Sequence, residues 1–244
     1  MKDNFSSVSK QYAKFRPHYP AELFVEISNL VKRRESALDV GTGNGQFAVQ
    51  LAKYFDKVTA TDISKEQIQH AIKNEKINYS VQRAEETEFE DNSFDLISVA
   101  QAIHWFDFDR FYNEVRRTIR NNGILAATGY GMPKVNEEVD RIVADFYEVT
   151  TGPYWDEERR YIDAGYKTIP FPFEEINLKP YAFIQQWNVD QFIGYLGTWS
   201  GVNHYLKAKG ENPLDLIHSD LKKSWKDVQA ITFPIITRVG RVYK

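Results

Sequence analysis

Cysteine is absent from all 244 residues. That excludes disulfide staples, thiolate-held zinc, iron–sulfur clusters and a cysteine nucleophile. Histidine is scarce: the five, at 18, 70, 104, 204 and 218, show no HxxxH or HxH spacing, so no histidine metal site is expected. Long apolar runs are missing too, and none approaches the ~18 residues of a membrane-spanning helix. The opening "MKDNFSSVSKQYAKF" has no apolar core and does not read as a secretory signal. Nor is there an excess of positive charge. A net charge of −3 offers no footprint for nucleic acid. The basic clusters "VKRRE" and "VRRTIR" fall at the ends of expected helices, where cations favour the negative end of the helix dipole. What is present is ordinary globular composition, 42% hydrophobic and 27% charged, with length for one large domain or a domain carrying a sizeable insertion. A soluble, cytoplasmic protein is expected, acting on a small molecule, as a monomer with a dimer left open.

Along the chain, residues 21–34 put Leu23, Phe24, Ile27, Leu30 and Val31 on one helical face. "ALDV" reads as a short buried strand, and "QFAVQLAKYF" as an amphipathic helix. "KVTATD" is the second strand. In "SKEQIQHAIK", Ser64 and Gln67 form a capping box, with Ile68, Ala71 and Ile72 as the apolar stripe. "INYSVQRA" and "FDLISVA" are the third and fourth strands. "DFDRFYNEVRRTIR" is a helix with Phe108, Phe111, Val115 and Ile119 inward, stopped by Asn-Asn-Gly at 121–123, and "GILAATGYG" is the fifth strand. Strands alternating with amphipathic helices predict an α/β fold with a doubly wound, mostly parallel sheet. In such sheets ligands bind beyond the carboxyl ends of the strands. The glycine loop after "ALDV", Asp62, the Ala84-Glu85 pair and "QAIHWF" all follow strands and should converge on one edge.

After residue 131 the alternation stops. Helices are expected over 136–149, 189–207 and 213–226, an extended segment over 171–187, and a last strand in "AITFPIITRVGRVYK", where Pro234 suggests a bend or an edge. The expected organisation is a ligand-binding core with an N-terminal flap over 1–131, a substrate-side insertion over 132–225, and a strand over 226–244 returning to the core sheet.

"ALDVGTGNG" places three glycines in five positions, which calls for a tight turn or a ligand pressed against the main chain. A dinucleotide fingerprint would need glycine at 46, where this chain has Gln46. The pattern present is D-x-G-x-G-x-G: Asp39, Gly41, Gly43 and Gly45. It resembles motif I of the class I S-adenosylmethionine-dependent methyltransferases. The resemblance implies a seven-stranded Rossmann-like methyltransferase fold and S-adenosylmethionine as cofactor. It also implies a glycine loop, Thr42 included, against the cofactor's methionine and adenosine portions, and Asp39 near its ammonium. Asp62, with Ile63 beside it, takes the position of the acid that accepts both ribose hydroxyls. Many members carry Asp-Ala where this chain has Arg83-Ala84; the departure leaves the Ala84 backbone N–H for the adenine ring and Glu85 as the substitute acceptor for its amino group. Gln101 would line the pocket beside the sulfonium.

The stretch "QAIHWF" is similar to a subset of the family acting on small molecules. It makes Trp105 a packing wall and His104 either a general base or a structural hydrogen-bonding group. The N-terminal "QYAKFRPHYP" resembles the flap of trans-aconitate methyltransferase-like proteins: Tyr12, Phe15, Arg16 and Tyr19 would close the pocket, and Arg16 would clamp an acceptor carboxylate. "YLGTWSGVNHYLKAKGENP" resembles that branch's C-terminal region, where Trp199 faces substrate. The function implied is methyl transfer to a small-molecule acceptor, a carboxylate among the candidates. A non-catalytic S-adenosylmethionine-binding module working through a protein partner, and a nicotinamide-dependent oxidoreductase, are the competing readings.

Overall fold

In the computed structural model, which describes residues 19–244, the alternation becomes a twisted sheet with helices packed on its faces. Strand β1 (Ser36–Val40) is central and buried from Ala37 onward, as a strand covered on both faces must be. It pairs in parallel with β2 (Lys57–Asp62) on one side and β4 (Phe94–Ala100) on the other. Strand β3 (Ile77–Val81) extends the sheet beyond β2, and β5 (Ile119–Tyr130) lies beside β4, both in parallel. The long β8 (Gln229–Val242) then runs antiparallel to β5, and to β6 (Glu174–Glu175) and β7 (Ala182–Trp187). The order is β3-β2-β1-β4-β5-β8-β6, with β7 also on β8: eight strands, one more than the seven expected. The order reverses between β1 and β4, and such a switch point opens a crevice at the strands' carboxyl ends.

Helix α1 (Ala21–Asn29) buries Leu23, Phe24 and Ile27, the face its spacing predicts. Helix α2 (Gln46–Leu51) starts directly from Gly45. Helix α3 (Lys65–Gln69) has the expected serine cap, Gln67 N donating to Ser64 Oγ at 3.3 Å, but it stops before Ala71 and Ile72. Ile72 is instead held through its backbone. Its N–H donates to Asn44 O at 3.0 Å, its carbonyl accepts from Tyr79 Oη at 2.8 Å, and its side chain is exposed.

A second correction concerns α4 (Phe108–Thr118), capped by Asp107. The helix ends at Thr118, and Asn121-Asn122-Gly123 lies inside β5 rather than stopping the helix. Ile119 is drawn into the sheet opposite Phe94 and is fully buried there. The Asn-Asn-Gly run then absorbs an irregularity in the β4–β5 register, with Asn122 at φ 65°.

Residues between β5 and β8 form α5 (Glu137–Asp145), which runs on into a π-helical turn at Phe146–Thr150, then α6 (Arg159–Asp163), α7 (Val189–Leu196), α8 (Ser200–Lys209) and α9 (Asp215–Ser224), besides β6 and β7. Two apolar clusters cover the two faces of the sheet: Leu38 and Ile97 point into one, Ala37 and Leu96 into the other. A third cluster, holding Phe146, Phe192 and Phe233, lies among the later helices and β7. Strand β8 joins it to the sheet. Residues up to Pro234 pair with β7 and those from Ile235 onward with β5, so the proline sits at the changeover and its carbonyl accepts from Gly131 N at 2.9 Å. Among the described residues no helix is long and apolar enough to cross a membrane.

Candidate active site

The loop between β1 and α2 takes the left-handed backbone at Gly41 (φ 68°), Gly43 (φ 57°) and Gly45 (φ 85°). At Gly41 a Cβ would sit 2.7 Å from the Ala102 Cβ, so the loop docks tightly on the turn that follows β4. Asp39 is fully buried: its Oδ2 accepts from Thr42 Oγ1 at 2.6 Å and its Oδ1 from Ser98 Oγ at 2.7 Å. Its carboxylate thereby braces the loop against β4. Asp62, at the end of β2, accepts from Gly43 N through Oδ2 (2.8 Å) and from Ser64 N through Oδ1 (2.9 Å). Each carboxylate oxygen can accept more than one hydrogen bond, so this engagement does not exhaust it. Ile63 is half-buried next to it.

In the loop after β3, Ala84 is buried and Glu85 is 6% exposed. Glu85 Oε1 accepts from Asp107 N at 3.3 Å, and its Oε2 lies 3.7 Å from Arg83 Nε. That Oε2 has no hydrogen-bond partner among the described residues, and neither do Asn44 Oδ1 after β1 and Thr61 Oγ1 near the end of β2. Buried polar atoms are normally paired. Three orphaned acceptors around the carboxyl ends of adjacent strands fit a ligand rich in donors, as ribose hydroxyls, an adenine amino group and an ammonium are.

The turn that touches the glycine loop also forms one wall of a cavity open to solvent, whose volume of about 590 Å³ includes that open space. Gln101, His104 and Trp105 contribute that wall; Trp155, Arg159 and Trp199 contribute another. Gln101 has φ 56°, unusual for a side-chain-bearing residue and the kind of strain that gathers at functional sites. Its N–H donates to Thr128 O at 2.8 Å, and its Oε1 accepts from Tyr130 N at 2.9 Å, which leaves the amide NH₂ as its remaining donor. His104 is 4% exposed, with Nδ1 3.2 Å from Tyr166 Oη. Burial first, and the Arg159 cation second, push its pKa down to about 3, so the imidazole is neutral at pH 7. Trp105 packs on His104 with ring centroids 5.0 Å apart. Trp199 is buried against Trp155 and Tyr195, at 5.6 and 6.1 Å.

Tyr19 edges onto Phe47 of α2 at 5.3 Å and approaches Tyr130, a cavity residue, at 6.5 Å. Tyr12, Phe15 and Arg16 lie outside the described residues. Sequence reasoning missed Arg159. It sits in "DEERRYID", which carries no motif, and only folding shows which of the two adjacent arginines turns inward.

A family model described as a methyltransferase domain matches residues 38–127. A methyltransferase-family protein of Dictyostelium discoideum is 37% identical over 243 residues, covering 96% of this chain and 92% of the relative. The solved structure of an Anaeromyxobacter dehalogenans protein assigned as a type II methyltransferase is 39% identical, with a TM-score of 0.87 over 94% of this chain and 99% of that one. A Bacillus halodurans structure, 18% identical with a TM-score of 0.54 over 92% of this chain and 99% of that one, shares the fold. Fold and relatives together define a class I S-adenosylmethionine-dependent methyltransferase, and the chain belongs to that family. Its cofactor is S-adenosylmethionine.

Proposed function

We propose that the chain methylates a carboxylate on a small molecule held in the cavity beside the glycine loop. The observation that carries this reading is the shared turn: Gln101, His104 and Trp105 wall the cavity, while Ala102 and Phe106 press against Gly41. In this reading Gly41, Thr42, Gly43 and Gly45 offer main chain to the cofactor, Asp62 accepts its ribose hydroxyls, and Ala84 N–H and Glu85 Oε2 take the adenine. Asp39 braces the loop and takes the cofactor's ammonium. Trp105 and Trp199 wall the acceptor, Gln101 donates into the pocket, and Tyr19 covers it. Residues 132–225 form the substrate side, carried on the core of residues 1–131 and the strand within 226–244.

When bound, S-adenosylmethionine supplies an electrophilic methyl group on a sulfonium. A carboxylate oxygen forms the new C–O bond as the C–S bond breaks with its electron pair going to sulfur, and no proton needs to move. That suits a neutral His104 of very low basicity, which would serve a hydroxyl or amine acceptor poorly. What the chain itself provides is alignment and exclusion of water.

The test is transfer from S-adenosylmethionine labelled in its methyl group to a metabolite extract. Label should appear in the small-molecule fraction and be released as volatile methanol by mild alkali, as from a methyl ester. Base-stable label would rule out a carboxylate. Label in the protein or nucleic-acid fraction would overturn the small-molecule reading.

A further inference from the structure

Arg159 opens α6 and lines the cavity with a side chain only 18% exposed. Its Nε donates to Tyr147 Oη at 2.9 Å and to Asp163 Oδ1 at 3.3 Å. Its guanidinium carbon lies 4.9 Å from the Trp155 ring centroid and 5.3 Å from that of Tyr147. These contacts hold the group by its inner nitrogen and its faces. The terminal fork is left with Met132 Sδ at 3.9 Å as its hydrogen-bonding contact among the described residues. A guanidinium carries five N–H donors, and a thioether is a weak acceptor. Among the described residues the enclosed fork therefore has no oxygen partner.

The start of α8, which also lines the cavity, adds positive potential. Thr198, Trp199 and Ser200 line it where α8 begins, and no side chain caps that helix. The first-turn N–H groups of an uncapped helix favour an anion. One carboxylate, Asp156, also faces the cavity, with Oδ2 3.8 Å from His204 Nδ1. Asp163, the counter-charge on the inner nitrogen, is 42% exposed at the outer side of Arg159. Much of the remaining wall is aromatic: Trp105, Trp155, Tyr195 and Trp199 line the cavity.

We propose that Arg159 is the specificity-determining residue of this cavity, its terminal fork pairing with the carboxylate of a small acid whose planar, apolar body lies against the tryptophans. This rests on the small-molecule reading above and assigns the anion-binding role to a residue of the cavity wall. A guanidinium fork matches a carboxylate through two parallel hydrogen bonds, which an ammonium cannot reproduce.

The test measures binding to the full chain saturated with S-adenosylhomocysteine, read by the fluorescence of the cavity tryptophans. The probes are benzoate, cinnamate and hexanoate, each beside its primary amide. An acid should bind about tenfold or more tightly than its amide. Arg159→Lys should weaken the acid about tenfold or more and leave the amide unchanged, with S-adenosylmethionine affinity within about twofold of wild type.

Because Arg159 is packed between rings, a second variant avoids touching it. Ser200→Asp puts a carboxylate at the cavity mouth of α8, where an acidic first-turn residue favours the helix, and should repel the acid by about the same factor. Equal binding of acids and amides to wild type, acids binding both variants as they bind wild type, or no binding of any of the three acids, would each overturn the proposal. The two readings fail differently. If the small-molecule reading is wrong, label goes into macromolecules; if only this proposal is wrong, methyl still reaches small molecules undiminished by Arg159→Lys.

Discussion

The amide of Gly43 donates to Oδ2 of Asp62 at 2.8 Å, across a sequence separation of 19 residues. This bond ties the glycine loop to the end of β2, so the two parts of the proposed cofactor site hold each other in place. Asp62→Ala should therefore do two things. Binding of S-adenosylmethionine should weaken by on the order of 1.5–3 kcal/mol through loss of a charged acceptor, and S-adenosylhomocysteine, which has the same ribose, should weaken equally. The ligand-free protein should also melt earlier, because the Gly43 and Ser64 amides lose their partner. Calorimetric titration with both ligands checks this; a loss confined to one of them would place Asp62 away from the ribose.

His104 sets a pH dependence of stability. Its folded pKa, about 3, is far below the ordinary 6.5 of histidine, because burial and Arg159 disfavour the imidazolium. Below about pH 6.5 the unfolded chain takes a proton at this position that the folded chain refuses. Its contribution is thus complete above the unfolded pKa and is lost progressively as pH falls toward the folded one, at up to about 1.4 kcal/mol per pH unit. His104→Gln has no such proton to bind. Urea unfolding at pH 7, 5 and 4 should show the gap between wild type and variant shrinking as pH drops; a gap independent of pH would mean that His104 titrates normally in the fold.

Phe233 is fully buried and lies flat on Phe183, with centroids 4.6 Å apart and rings at 17°, while Tyr195 meets it edge-on at 5.1 Å. Phe233→Ala should cost about 3–5 kcal/mol by removing this contact and leaving a cavity. Because β8 belongs both to this cluster and to the main sheet, the unfolding midpoint should fall in a single transition, followed by circular dichroism and tryptophan fluorescence together. Two separated transitions would show that residues 132–225 unfold independently.

The alternating strands and helices of residues 36–130 are legible because their burial pattern is local: a period near two or 3.6 residues reports which face meets the core. The glycine loop is legible for a related reason, since positive φ at Gly41 and Gly45 restricts the residue type whatever surrounds it. Asp39 and Asp62 could be singled out by their places in strands, but only folding shows that Asp39 also accepts from Thr42 and Ser98 and so ties the loop to β4. The helix end at Thr118 was misread because the competing claim on Ile119 comes from Phe94 on another strand.

The cavity wall was the least legible. His104 meets Tyr166 across 62 residues, and Arg159 acquires its surroundings from Met132, Tyr147, Trp155 and Asp163. No spacing announces such a wall, because its members share neither a period nor a turn; they become neighbours only when the helices between β5 and β8 close over the sheet. The glycine loop is thus set by local backbone constraint, which one stretch of chain can carry. The charge and shape of the cavity are products of long-range packing, which only the folded chain decides.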